Sequence, residues 1–245
     1  ALHDVTYFTG VSRQTLNALE KLGVVAYREQ EEYRISEKQY TVKAEELTLN
    51  DQQQRVCDTL LAQVRTETPG VTLLRGVTGS GKTVVYIRLA QELLKIGRSV
   101  MILVPEIALT PQMMARFTAY FGREVALLHS GLRMTERYDQ FKRLRRGEAH
   151  IVLGTRSAVF APLENLGLII MDEEHEATYK SDMTPKYDTV EVAAKRLQTT
   201  GGVLLLGSAT PSVVSYERAK EGIYQLLTLK PVSYTHLTLP TKRIV

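Results

Sequence analysis

The sequence predicts an α/β protein: a mostly parallel, doubly wound sheet preceded by a small segment of different character. From residue 49 onward, apolar runs that suit buried strands alternate with stretches of helical periodicity. These apolar runs are nearly continuous, which is typical of parallel strands covered on both faces. A glycine-rich turn also joins one predicted strand directly to a helix. Because ligands bind to such sheets at the carboxyl ends of the strands, we expect the functional residues there.

The first segment, residues 1–40, predicts a helix followed by a hairpin. Ser12 is a suitable N-cap and Gly23 a suitable C-cap, and the leucines between them recur at helical spacing. The β-type runs VVAY and YRI then flank a polar turn. This order is typical of the second half of a winged helix-turn-helix, and a small packing module that contacts no nucleic acid is the alternative. The outer face of the helix carries Arg13, Gln14, Asn17 and Lys21.

Residues 41–48 form the predicted linker and residues 49–230 the α/β lobe. The predicted strands of the lobe are VTLLRG, SVMILVP, VALLHS, HIVLGT, LGLIIMDE and GVLLLGSAT. Helices are predicted over KTVVYIRLAQELLKIG and over the stretch that begins PQMMARF. In the basic run KRLRRG, residues 142–147, Phe141 and Leu144 recur on one helical face, so we interpret the charges as a solvated opposite face.

The composition is that of an ordinary globular protein, with 44% hydrophobic and 24% charged residues. Disorder is therefore not expected, and no apolar run approaches the roughly 18 residues of a membrane-spanning helix. A single cysteine, Cys57, excludes an internal disulfide and a thiolate cage for zinc, which suits a reducing cytoplasm. The net charge of +4 slightly favours a polyanionic partner. The first residue is alanine, so we expect a piece of a longer chain.

The glycine-rich turn reads GVTGSGKT, residues 76–83, and fills every defined position of the phosphate-binding pattern G-x-x-x-x-G-K-T. It lies between a predicted strand and a predicted helix, where backbone amides and the helix dipole can hold a phosphate. We expect Lys82 to reach the β- and γ-phosphates of ATP or GTP, and Thr83 to bind Mg²⁺. A chance glycine-rich turn is the alternative. The predicted nucleotide-binding residues of the turn are Gly76, Gly79, Ser80, Gly81, Lys82 and Thr83.

The tetrapeptide DEEH, residues 172–175, follows the apolar strand LGLIIM. Asp172 at the strand end suits a carboxylate that holds Mg²⁺ through water, and Glu173 suits the acid that orients or deprotonates the attacking water. A DE pair behind a strand is weak evidence for a catalytic site on its own, but together with the phosphate loop upstream it becomes strong evidence. Glu174 and Glu176 have a plain alternative as solvated charges, which we favour for Glu176.

Two motifs together narrow the class of protein. DEEH combined with GSAT, residues 207–210, resembles motifs II and III of superfamily 2 helicases and translocases. This resemblance implies that His175 links the nucleotide site to Ser208 and Thr210. Without the resemblance, a histidine on a loop is more often an ordinary surface residue. The implied coupling residues are Ser208, Ala209 and Thr210.

Longer strings resemble one family within that superfamily. GVTGSGKT, LVPEIALTPQM, LHSGL, GTRSAVFAP ahead of DEEH, and GSATPSV are similar to the replication-restart DNA helicases known as primosomal protein N′ or PriA. The resemblance extends over residues 1–229. It implies a RecA-like P-loop NTPase lobe preceded by a winged helix. Residues 231–245 do not resemble the family, and we interpret them as a non-native tail.

The resemblance also implies roles for individual residues. Gln53 is expected to contact adenine, although Gln52 and Gln54 beside it leave the register open. The DNA-binding residues carried over are Pro105, Glu106, Thr110, Gln112, Thr155, Arg156, Tyr179, Lys180 and Tyr187. The last three lie in an aromatic-rich loop that senses single-stranded DNA, where bases can stack on tyrosine; an ordinary polar surface loop is the alternative. The sequence departs from the family at YDTVE, residues 187–191, and at Phe141.

The implied activity is ATP-dependent 3′-to-5′ DNA unwinding during replication restart, with ATP and Mg²⁺ as cofactors. The implied partners are forked and single-stranded DNA, primosome proteins and single-stranded-DNA-binding protein, in the bacterial cytoplasm at the nucleoid and without a membrane segment. The family's second lobe, zinc-binding insertion and N-terminal DNA-binding domain are not found in these 245 residues, so zinc is expected only in a longer parent. Another superfamily 2 translocase and a DNA-binding nucleotide switch are the alternatives.

Overall fold

The computed structural model describes residues 2–26, 44 and 46–231. The chain divides into two compact units, residues 1–34 and 35–245. Most of the predicted hairpin, half of the predicted linker and the predicted tail beyond residue 231 lie outside the described residues.

The described part of the first unit contains two helices, α1 (Leu2–Thr9) and α2 (Arg13–Lys21). α2 confirms the helix predicted after Ser12, whose hydroxyl accepts a hydrogen bond from a backbone N–H of the first turn at 3.2 Å. The helix is followed by Gly23 in a left-handed conformation, φ 69°, which suits glycine. Leu16 is buried, whereas the four polar residues of the predicted outer face are exposed. α1 is an addition to the prediction.

The second unit is built on a parallel sheet. The strands of the described chain are β1 (Gly70–Gly76), β2 (Ser99–Leu103), β3 (Val125–Leu128), β4 (Ile151–Gly154), β5 (Leu166–Asp172), β6 (Lys180–Ser181), β7 (Tyr187–Asp188), β8 (Val203–Ser208) and β9 (Gln225–Leu229). Among them, seven form one sheet in the order β3-β4-β2-β5-β8-β1-β9, and every neighbouring pair is parallel. The predicted α/β class is confirmed, and β9 at the edge is an addition to it.

Helices cover both faces of this sheet. They are α3 (Asp51–Arg65), α4 (Lys82–Lys95), α5 (Pro111–Phe121), α6 (Met134–Arg145), α7 (Thr189–Thr200) and α8 (Val213–Lys220). Along β2, Val100 and Ile102 pack into the core layer that α3, α4 and α5 cover, whereas Met101 and Leu103 pack into the layer beneath α6 and α7. This alternation explains why the strands are apolar at successive positions. None of the described helices has the length and apolar character needed to cross a membrane.

The basic run in α6 corrects one prediction. We interpreted its charges as a solvated face, but Arg143 is only 6% exposed. Its guanidinium donates hydrogen bonds to the carbonyl oxygens of Arg123 and Val125 and, at 2.8 Å, to the side chain of Gln140. Arg143 therefore ties α6 to the chain at the start of β3. A long side chain can reach the backbone of a neighbouring element, which helical periodicity alone does not indicate.

Candidate active site

Three of the predicted motifs lie at the ends of neighbouring strands. β1 ends at Gly76, β5 at Asp172 and β8 at Ser208, and these strands are adjacent in the order β5-β8-β1. Parallel strands share one direction, so their carboxyl ends lie at one edge of the sheet. The phosphate loop, DEEH and GSAT, which are far apart in the sequence, therefore converge at that edge.

The phosphate loop joins β1 to α4 through two left-handed glycines. Gly79 has φ 81° and Gly81 has φ 85°, values that residues with side chains rarely adopt. The Ser80 N–H donates to the Val77 carbonyl at 3.0 Å and closes the turn. α4 begins at Lys82 and receives no side-chain cap from the residue before it. The first N–H groups of α4 and its dipole therefore favour an anion in the loop.

Gln53 braces this loop from α3. Its side chain is 6% exposed. The amide nitrogen donates to the Ser80 carbonyl at 3.1 Å, and the amide oxygen accepts from the Asn50 N–H at 3.0 Å. Gln52 and Gln54 make their hydrogen bonds away from the loop. Of the three glutamines, Gln53 therefore lies against the phosphate loop, and its contact with adenine stays a prediction.

Lys82 is held inside the loop by two oxygen atoms. Its ammonium donates to the Gly76 carbonyl at 2.8 Å and lies 3.5 Å from Glu173 Oε1. The Lys82 side chain is 8% exposed, and Thr83 follows it in a half-buried position. An ammonium in this position can exchange these contacts for phosphate oxygens, which are strong charged acceptors.

Asp172 is held by Tyr86, which lies one turn into α4. The Tyr86 hydroxyl donates to Asp172 Oδ1 at 2.8 Å, and the backbone N–H of Glu173 also bonds to the carboxylate. Burial raises the pKa of Asp172, and it raises the pKa of Tyr86 well above its ordinary value, so the phenol remains protonated and donates. A carboxylate has roughly four acceptor positions, so Asp172 retains capacity for a water-bound Mg²⁺.

Glu173 and His175 connect the phosphate loop to the end of β8. Glu173 has a left-handed backbone, φ 47°, which is uncommon for a residue with a side chain, and such strained residues cluster at active sites. Its carboxylate lies 3.5 Å from Lys82 Nζ and 3.7 Å from His175 Nδ1. The Nδ1 atom of His175 is 2.9 Å from Ser208 Oγ, which accepts the Thr210 N–H at 3.0 Å. His175 and Ser208, linked by resemblance, are therefore in direct contact.

Glu174 has a structural role that the sequence did not reveal. It is 7% exposed and is therefore not a solvated charge. Its Oε1 atom accepts from the Ser212 N–H at 2.7 Å, and its Oε2 atom accepts from the hydroxyls of Ser212 and Ser215 at 3.1 and 3.0 Å. The Glu174 N–H donates to the Gly207 carbonyl at 3.0 Å. These bonds fasten the DEEH turn to β8 and to the start of α8.

Residues predicted to contact DNA follow β2 and β4, which are neighbours in the sheet. Thr155 comes directly after β4, Pro105 comes two residues after β2, and both are buried, whereas Glu106, Thr110 and Gln112 are exposed. The Thr110 hydroxyl caps α5 by accepting a backbone N–H at 3.2 Å. The structure therefore brings these five residues to the sheet edge that also carries the phosphate loop, and their contact with DNA stays a prediction.

Arg156 joins this edge to the aromatic-rich loop. Its guanidinium donates to the carbonyl oxygens of Thr178 and Lys180 at 3.1 and 2.6 Å. The Lys180 side chain is exposed. Tyr187 is half-buried and packs edge-to-face against Phe160, with ring centroids 5.0 Å apart. Lys180 and the exposed Phe160 thus lie beside the predicted DNA contacts.

Tyr179 anchors the same loop from the inside. It is 2% exposed, and its hydroxyl donates to the carbonyl oxygens of Leu103 at 2.9 Å and Asp172 at 2.6 Å. Its own carbonyl accepts the Thr189 hydroxyl at 2.6 Å. The ring presents no face to a base, so the stacking role expected for Tyr179 is corrected to that of an anchor between the loop and the ends of β2 and β5.

Mg²⁺ is the metal ion that we expect the residues of this site to bind. Across the described part of the chain, no group of three or more His, Cys, Asp or Glu residues is placed to hold a metal ion. Mg²⁺ needs no such cage, because one or two protein groups usually hold it together with phosphates and water. Thr83 and Asp172 fit that requirement, since Thr83 ends the phosphate loop and Asp172 lies at the carboxyl end of the nearby strand β5.

Known proteins resemble the chain in sequence and in fold. The sequence model of the DEAD/DEAH box helicase family matches residues 50–219. The replication restart protein PriA of Bacillus subtilis is 42% identical over 239 residues, which cover 97% of this chain and 29% of that protein. PriA of a Synechocystis species is 43% identical over 216 residues, which cover 88% of this chain and 26% of that protein.

Two solved structures share the fold. RecG bound to a three-way DNA junction superposes with a TM-score of 0.57 at 24% identity, over 89% of this chain and 26% of that one. The helicase MrfA bound to DNA gives a TM-score of 0.52 at 18% identity, over 74% of this chain and 25% of that one. At these identities the likeness concerns the fold alone.

The family match covers the whole region in which the phosphate loop, DEEH and GSAT converge. The chain spans 29% and 26% of the lengths of the two PriA relatives. The chain belongs to the DEAD/DEAH box helicase family, and its predicted resemblance to the replication restart proteins PriA is confirmed.

Proposed function

We propose that the protein containing this chain is an ATP-dependent 3′-to-5′ DNA helicase of replication restart, and that the chain supplies its winged helix and first motor lobe. The contacts of Lys82 with Glu173 and of Glu173 with His175, at 3.5 and 3.7 Å, carry this proposal. They join a phosphate-binding lysine, a candidate general base and a coupling histidine. The names of the PriA relatives support the setting in replication restart.

The side chains at this site suit ATP hydrolysis. Lys82 exchanges the Gly76 carbonyl for oxygens of the β- and γ-phosphates. Glu173 orients the attacking water and accepts its proton, and Thr83 and Asp172 would hold Mg²⁺, which neutralises phosphate charge when bound. The arginines that stabilise the transition state in such motors are expected from a second lobe. The chain alone is therefore expected to bind Mg·ATP weakly and to unwind little DNA.

The proposed coupling to DNA uses the neighbouring strand ends. Thr155 and Arg156 are suited to contact the DNA backbone through a hydroxyl and a guanidinium. Arg156 bonds to the aromatic-rich loop, and Tyr179 bonds that loop to the carbonyl of Asp172. Single-stranded DNA that displaces the loop would therefore also shift the carboxyl end of β5, where Asp172 lies. Forked DNA, primosome proteins and single-stranded-DNA-binding protein are proposed partners in the bacterial cytoplasm.

ATP hydrolysis by the full-length protein, with and without forked DNA, tests this proposal. We expect the fork to stimulate hydrolysis, and Glu173→Gln to lower the stimulated rate by about 100-fold or more, because a positioned base contributes at least that much. Binding of ATP should persist in this variant. The matched control is Glu221→Gln, which replaces an exposed carboxylate at the end of α8, outside the site.

The outcomes separate the alternatives. Hydrolysis that ignores DNA would contradict the proposed DNA motor. Stronger stimulation by an RNA fork would favour another superfamily 2 translocase. ATP that is bound and not hydrolysed by the full-length protein would favour a nucleotide switch. Strand separation by residues 1–245 alone would contradict the requirement for a second lobe.

A further inference from the structure

Tyr86 makes a buried contact with the carboxylate that is proposed to hold Mg²⁺. The residue is 0% exposed and lies four positions after Lys82 in α4, so both side chains are on the same face of the helix. Its hydroxyl donates to Asp172 Oδ1 at 2.8 Å. One helix therefore presents the phosphate-binding lysine and the partner of the carboxylate that is proposed to hold Mg²⁺.

Gly207 leaves room for this hydroxyl. A Cβ atom added at Gly207 would lie 2.0 Å from Tyr86 Oη and 3.3 Å from Asp172 Oδ1. Gly207 pairs with Asp172 in the register between β8 and β5, so the hydroxyl passes over the glycine to reach the carboxylate. Any larger residue at this position would displace the hydroxyl from its acceptor. α4, β5 and β8 are thus fitted together around one hydrogen bond.

We propose that Tyr86 is a positioning residue that orients the Asp172 carboxylate for the Mg²⁺ of the bound nucleotide, and that Gly207 permits this contact. Hydrogen-bond partners behind a metal-binding carboxylate fix its orientation, and their loss typically lowers metal affinity or activity by about 10- to 100-fold. The inference rests on the proposed function, because it takes Asp172 as the residue that holds the ion.

Magnesium dependence of nucleotide binding tests the inference without hydrolysis. A fluorescent ADP analogue is titrated onto the full-length protein at a series of Mg²⁺ concentrations. Tyr86→Phe keeps the packed ring and removes only the hydroxyl. We expect it to raise the Mg²⁺ concentration at half-saturation by about 10-fold, with unchanged nucleotide affinity at saturating Mg²⁺ and little change in Tm. Tyr224→Phe is the matched control, because Tyr224 is also buried and its hydroxyl contacts only Arg218, at 2.6 Å, among the hydrogen bonds described.

A double-substitution cycle tests the role of the glycine. Gly207→Ala should raise the Mg²⁺ concentration at half-saturation as Tyr86→Phe does, because the new methyl group occupies the position of the hydroxyl. With both substitutions the nearest atoms to the methyl group are the ring carbon at 3.2 Å and Asp172 Oδ1 at 3.3 Å, which the site can accommodate by a shift of a few tenths of an ångström. The double variant should therefore be no weaker than either single variant. Additive losses would contradict the shared-contact explanation.

Asp172→Asn distinguishes failure of the inference from failure of the proposed function. If Asp172→Asn shifts the Mg²⁺ dependence and Tyr86→Phe does not, the positioning role of Tyr86 is refuted and the proposed site stands. If Asp172→Asn leaves the Mg²⁺ dependence unchanged, Asp172 does not hold the ion, and both proposals fail at this residue. A shift in Tyr224→Phe equal to that in Tyr86→Phe would reduce the effect to a general loss of a buried hydroxyl and would also refute the role.

Discussion

Glu174→Ala is the substitution whose effect the structure predicts most directly. The carboxylate of Glu174 is buried and accepts three hydrogen bonds, from the Ser212 N–H, the Ser212 hydroxyl and the Ser215 hydroxyl. Alanine removes the acceptor and leaves these donors beneath the start of α8. The two hydroxyls lie 3.0 Å apart and can bond to each other, whereas the backbone N–H of Ser212 loses its acceptor.

The size of the effect follows from these contacts. A hydrogen bond to a charged group contributes about 1.5 to 3 kcal/mol, and an unsatisfied buried donor costs about 1 to 3 kcal/mol. Because the hydroxyls re-pair in part, we expect Glu174→Ala to lower the free energy of unfolding by about 3 kcal/mol. For a domain of this size that corresponds to a fall in Tm of about 6 to 12 °C. Glu174→Gln retains one carbonyl acceptor for the N–H and should cost about 1 kcal/mol.

Thermal unfolding of residues 1–245, followed by circular dichroism, measures this effect. Glu176→Ala is the control, because Glu176 is 34% exposed and its removal should change the free energy of unfolding by less than about 0.5 kcal/mol. If Glu174→Ala unfolds at the temperature of the control, Glu174 does not fasten the DEEH turn and the reasoning from its three donors is refuted.

Two further predictions concern buried groups away from the site. Burial, with the charge of Asp58, raises the pKa of Cys57 to about 12. We therefore expect iodoacetamide to leave Cys57 unmodified in the folded chain at neutral pH and to alkylate it fully after denaturation. Alkylation of the folded chain at the rate seen after denaturation would contradict this prediction. Arg98 is 8% exposed and donates to the carbonyl oxygens of Leu166 and Thr200. Arg98→Lys should lower the free energy of unfolding, measured by urea denaturation, by about 2 kcal/mol, because an ammonium cannot reproduce the forked hydrogen bonds of the guanidinium. An unchanged urea midpoint would show that these forked hydrogen bonds are dispensable.

Much of the fold could be predicted because its signals are local. The inner strands of the sheet are buried on both faces and therefore appear as continuous apolar runs, and α2 begins after a serine that caps it. β9 escaped prediction because it is an edge strand, QLLTL, in which three of five residues are exposed. A strand with one neighbour needs less apolar surface than a central strand, so its pattern is weaker.

Several polar residues, in the candidate site and outside it, escaped prediction because burial of polar residues depends on distant neighbours. Glu174 and Arg143 were interpreted from their charge, yet their partners come from elements that the sequence does not mark as adjacent. Tyr179 was expected to stack on bases, but its hydroxyl finds two backbone carbonyls in the interior. In each case the side chain satisfies buried polar groups, and no property of its own segment indicates which groups those are.

The sequence by itself determined the phosphate loop, because the backbone amides, the glycines and Lys82 that suit phosphate binding all belong to one contiguous turn. It also determined the α/β class, since burial on both faces of a sheet leaves continuous apolar runs. Only the tertiary structure decided that Tyr86 bonds to Asp172, 86 positions away, and that Gly207 leaves space between them. That contact exists because β5, β8 and β1 are neighbours, and strand order arises from the packing of the whole chain instead of from any local pattern.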